Sequence, residues 1–76
     1  MFALLDTVVL NRDLPEHGLR RGDLGAIVEM LGPDVYEVEF VLGSGRTQAL
    51  VTLNATDLRA VRDSELLAVR EIHQSA

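Results

Sequence analysis

The chain has 76 residues, a formal net charge of −5, no cysteine, and seven basic residues that are all arginine. Disulfides, thiolate metal sites and a cysteine nucleophile are therefore excluded, and an acidic balance opposes binding to a phosphate backbone unless the cations cluster. With 47% hydrophobic but only 4% aromatic residues, one small domain spanning 1–76 with an aliphatic core is expected.

No apolar run approaches the ~20 residues of a membrane span. The start, Met1-Phe2-Ala3-Leu4-Leu5-Asp6, has no basic stretch and meets an acid at once. A cytoplasmic protein without a signal peptide is expected.

The β-branched run Thr7-Val8-Val9-Leu10 predicts a first strand. Residues 11–22 are polar and hold Pro15, Gly18 and Gly22. They read as a long loop without regular structure, ending in a tight turn. A second strand is predicted over 25–31, and Gly32-Pro33-Asp34 signals a turn. The clearest pattern follows: Tyr36, Val38 and Phe40 alternate with Glu37 and Glu39. Period two sets the large residues on a buried face and the acids on a wet one. Phe40 is expected to be the main core aromatic.

A hairpin loop at 43–46 precedes a strand over 47–53 with Ala49, Val51 and Leu53 inward. Residues 54–58 fit one helical or 3-10 turn, with Asn54 as N-cap and Asp57 completing a capping pair. In the tail, Leu66, Val69 and Ile72 share a helical face, while 66–69 equally fits a closing strand. The strand is preferred, because an open sheet would leave an edge to protect. This order predicts an all-β fold, a five-stranded SH3-like barrel with one 3-10 or helical turn before the last strand.

The segment from Leu14-Pro15-Glu16-His17-Gly18-Leu19 through Arg20-Arg21-Gly22-Asp23-Leu24-Gly25-Ala26-Ile27-Val28 resembles a family of small uncharacterised bacterial proteins. Tyr36-Glu37-Val38-Glu39-Phe40, the strand Ala49 to Leu53, and Asp57-Leu58-Arg59 extend the likeness. That family bears a domain-of-unknown-function label. The resemblance runs from about Leu5 to Val69. It implies an SH3-like barrel and carries no catalytic residues. Residues 21–28 also resemble the KOW motif of some ribosomal and transcription-elongation proteins, from whose setting this acidic chain departs.

Candidate binding residues are Glu16, His17, Arg20 and Arg21, because binding groups concentrate on loops held by a rigid scaffold. His17 beside Glu16 has the chemistry to titrate near neutrality, and Arg20-Arg21 to meet a phosphate or an acidic partner. Against this, Pro15 and Gly18 simply shape a loop whose polar residues face water. His17 and His73, the two histidines, fit no metal-ligand spacing, and no cofactor is expected. Gly22 and Gly25 read as turn and close-approach glycines, since no long helix follows to complete a phosphate cradle. Glu37 and Glu39 read as solvated acids rather than an acid–base pair, with a place in an acidic contact surface for an Arg-rich partner. Ser44, Ser64 and Ser75 lie in turns and the tail with no partner base in view.

No enzyme is expected. The expected function is a protein-interaction module, either a small accessory subunit or a neutralising partner of the antitoxin or immunity kind. Scarce aromatics argue against a proline-helix reader. The alternative is a KOW-like module binding nucleic acid or the ribosome, supported if Arg12, Arg20, Arg21 and Arg46 share one face.

Overall fold

The computed structural model describes residues 2–72. Five strands follow one another: β1 (Thr7–Leu10), β2 (Leu24–Met30), β3 (Val35–Val41), β4 (Thr47–Asn54) and β5 (Leu58–Ala60). They form one antiparallel sheet in the order β4-β3-β2-β1-β5, the arrangement of an SH3-like barrel. β4 and β5 stand at opposite ends of the sheet and are joined by a 3-10 turn, Ala55–Asp57. Leu53 of β4 and Leu58 of β5 nevertheless belong to one buried cluster with Val8, Leu10, Ile27 and Val38. The sheet therefore curls until its two ends share a core.

β3 follows its alternation closely. Tyr36, Val38 and Phe40 are at most 2% exposed, while Glu37 and Glu39 are half-buried on the outer face. There Thr52 Oγ1 donates to Glu37 (2.6 Å) and Thr47 Oγ1 to Glu39 (2.5 Å). Tyr36 is buried as deeply as Phe40 and meets the Phe2 ring edge-on, centroids 5.5 Å apart. The core thus rests on two aromatics rather than on Phe40 alone. Of the inward set on β4, Ala49 and Leu53 are buried and Val51 is half-buried.

The turn at Asn54 closes as its residues dictate. Asp57 accepts the Asn54 backbone N–H at 3.0 Å, the reach-back contact of a capping box.

Two expectations are corrected. The closing strand is not 66–69. It is the three-residue β5, immediately after the 3-10 turn, paired to β1 with Val8 opposite Ala60 and Leu10 opposite Leu58. Residues 61–72 are neither strand nor helix: β5 already occupies the free edge of β1, the place expected for the later apolar run. The long loop also has regular structure. Pro15–His17 is a 3-10 turn with proline in its first turn, where a missing N–H costs nothing. Leu14 and Leu19 bracket it, exchange backbone hydrogen bonds of 2.9 and 3.1 Å, and are buried. Gly18 ends the turn at φ +70°.

Candidate functional site

The long loop is folded rather than loose, and its shape decides where its charged residues stand. Leu10 N–H donates to the Asp23 carbonyl (2.8 Å) and Gly22 N–H to the Leu10 carbonyl (2.9 Å), so the loop closes on the end of β1. Two acids then hold the turn between. Asp23 Oδ2 accepts the Arg20 N–H and Asp13 Oδ1 accepts the Arg21 N–H, both at 2.8 Å. Both backbone donors are taken up, and Arg20 and Arg21 are exposed residues. Neither makes an ion pair among the described residues.

This turn forms one rim of an open groove of about 470 Å3. Leu42 and Gly43 of the β3–β4 hairpin form the opposite rim, and Leu24, Phe40 and Gln48 lie among the lining. The hairpin is tight: Leu42 N–H donates to the Arg46 carbonyl and Gly45 N–H to that of Leu42, each at 2.8 Å. Gln48 Nε2 donates to the His17 carbonyl at 3.1 Å, tying the start of β4 to the loop.

Of the four residues singled out from sequence, Arg20 and Arg21 line the groove. Glu16 and His17 do not. Glu16 is exposed on the 3-10 turn, and His17 is half-buried with its carbonyl engaged by Gln48. Pairing of His17 with His73 lies outside the described residues. Arg12 is engaged with Asp57 (Nε–Oδ1 2.9 Å), and Arg46 is not among the groove lining. Glu37 stands opposite Glu29 across the β2–β3 ladder, so the outer face of the sheet is acidic.

The third border of the groove is the tail, through Ala68, Val69 and Arg70. Sequence reading missed what fixes it there. Arg70 forks onto Asp23 (Nε–Oδ1 2.7 Å, Nη2–Oδ2 2.5 Å) and also donates to the Gly18 carbonyl at 3.1 Å. Nearer β5, Arg59 forks onto Glu65 at 2.8 and 2.7 Å, and Glu65 accepts the Arg62 N–H at 2.6 Å. Partners 47 residues apart, as Asp23 and Arg70 are, leave no local signal. Between these anchors the tail reaches Val9, which is buried yet outside the main core cluster. Val9 shares a cavity of about 110 Å3 with Leu24, Leu66, Leu67 and Ala68.

Both forks move carboxyl titration downward. Hydrogen bonds from Arg59 and from the Arg62 N–H bring Glu65 from 4.5 to about 2, against a smaller opposing effect of burial. At Asp23 burial pushes the pKa up, but the hydrogen bonds from Arg70 and the Arg20 N–H, with both arginine charges, pull it lower still. A depressed folded-state pKa contributes stability that is complete above the ordinary carboxyl value and is lost as pH falls toward the depressed one. The tail should therefore hold firmly above pH 4.5 and release between pH 4.5 and about 2. Amide NMR of Leu66 to Val69 checks this: their signals should move toward random-coil positions in that window, and a Glu65→Gln variant should show part of the change at neutral pH.

No helix among the described residues is long and apolar enough to cross a membrane. No curated protein and no solved structure gives a match. The family described as Domain of unknown function (DUF4926) matches residues 4–60, from the turn before β1 through the last residue of β5, and the chain belongs to that family.

Proposed function

We propose that this domain is a non-catalytic protein-interaction module that binds its partner in the groove between the Arg20–Arg21 turn and the β3–β4 hairpin. The observation that carries this reading is the pair of exposed arginines, without an ion pair among the described residues, on a turn braced by Asp13 and Asp23 at the rim of a partly apolar groove. An arginine rim around an apolar floor is the composition that protein interfaces favour. A small accessory subunit or a neutralising partner of another protein fits this geometry, in a cytoplasmic setting. The scarcity of aromatics sets it apart from a proline-helix reader. The KOW-like alternative asks for converging cations, and Arg12 is already occupied by Asp57.

The test is a nuclease-treated pull-down from the native cells, comparing the tagged chain with its Arg20→Ala/Arg21→Ala variant. One stoichiometric protein should be recovered with the native chain and at least about tenfold less with the variant, the loss typical of interfacial arginine anchors. Recovery of nucleic acid alone, when nuclease is omitted, would replace this reading with the KOW-like one.

A further inference from the structure

Residues 61–72 form a strap rather than a structural element. Its own backbone makes only local hydrogen bonds among the described contacts, Glu65 N–H to the Arg62 carbonyl at 3.0 Å and Arg62 N–H to the Glu65 carboxylate at 2.6 Å. Its hold on the barrel comes from side chains: the Arg59–Glu65 fork at one end and the Arg70 fork at the other. Between them Leu66 is 90% and Val69 101% exposed. Exposed apolar side chains and attachment by two part-buried side-chain forks, with no ladder of backbone hydrogen bonds, are the features of a segment that opens locally at low free energy. The strap also lies beyond residue 60, where the family match and the last strand both end.

We propose that the strap is a displaceable internal ligand, and that the partner of the groove is an extended segment of another protein carrying an arginine that follows an apolar residue, as Arg70 follows Val69 in the strap. This rests on the groove reading above. The partner's guanidinium takes the place of Arg70, forking onto Asp23 and donating to the Gly18 carbonyl. A bidentate carboxylate with an adjacent carbonyl selects arginine over lysine by geometry. Arg20 and Arg21 on the same rim, which make no ion pair with the strap, receive an acid of the partner. The strap thus sets a threshold: a partner must outcompete a tethered ligand.

The experiment uses the 76-residue chain with Arg70→Ala, labelled for amide NMR, and a synthetic peptide of residues 61–72 as probe. The peptide should shift the Gly18, Gly22 and Asp23 amides saturably. The same peptide with alanine at its Arg70 position should bind at least about tenfold more weakly. The native chain should need at least about tenfold more peptide than the variant, because its own strap competes at an effective concentration near the millimolar range. An Arg70→Lys chain, which keeps the charge but loses the fork, should fall between. No saturable shift in a variant with a dispersed spectrum, equal binding of the two peptides, or equal binding by native and variant chains would each overturn the proposal. If the peptide fails while partner recovery still depends on Arg20 and Arg21, the internal ligand is refuted and the groove reading stands. If the peptide binds but no partner depends on those arginines, the reverse holds.

Discussion

Replacing Phe40 with alanine should lower the unfolding free energy by ~3–5 kcal/mol, read from urea or guanidinium unfolding at constant slope. The side chain is 2% exposed and belongs to the cluster that both ends of the sheet share. Its removal takes a large apolar side chain from between the strands and leaves a cavity in the shared core. A chain of this length has about 4–11 kcal/mol of stability in all, so the variant should be marginally folded at 25 °C. On the opposite face of β3, Glu39→Ala removes one exposed hydrogen bond from Thr47 and should cost under about 1 kcal/mol. If Glu39 proved the costlier position, the register of β3 would be wrong.

Gly25→Ala should destabilise the fold by ~1–3 kcal/mol although it adds only one methyl group, an overpacking cost. Gly25 is buried on β2. A Cβ there would come within 2.7 Å of Val38 Cγ1, 2.9 Å of Phe40 Cε1 and 3.2 Å of the Glu39 carbonyl oxygen. Two of these are side-chain atoms of the best-packed strand, and the third is backbone, so none can withdraw freely. The clash also predicts coupling. Combining Gly25→Ala with Phe40→Leu should cost less than the two single changes added together, because the smaller side chain vacates part of the space. Thermal unfolding of the four proteins measures this, at about 4–8 °C per kcal/mol for a domain of this size. Strict additivity would mean that the strands relax apart rather than compress.

Which parts of the fold were legible follows from how local their causes are. Tyr36, Val38 and Phe40 announce β3 because period two is written in consecutive residues, and Asn54 with Asp57 announces the 3-10 turn because the capping contact spans three residues. Gly25 was readable as a close-approach glycine, although its partners on β3 were not. The closing strand was misplaced because β5 has only Leu58 facing inward and its identity is set by pairing with β1, some 50 residues earlier in the chain. Leu66 to Val69 carries the apolar character of a strand but pairs with no strand among the described residues, and the structure leaves Leu66 and Val69 in solvent. At the candidate site, Arg20 and Arg21 were legible as adjacent cations in a glycine-bounded turn. Asp23 and Arg70 were not, since neither has a local pattern and their fork exists only once the tail crosses the loop. Glu16 and His17 drew attention through the distinctive Pro15 to Gly18 segment, but its conformation is explained by the buried Leu14 and Leu19 at its base.

The central claim is that the groove beside the Arg20–Arg21 turn receives another protein. Site-specific photo-cross-linking in the native cells tests it most directly, with the reactive residue placed at Val41, exposed on the groove, or at Met30, exposed but not in the groove lining. The account predicts one discrete protein adduct from position 41, lost with Arg20→Ala/Arg21→Ala, and none from position 30. Adducts from position 30 alone, or adducts to nucleic acid from position 41, would contradict it.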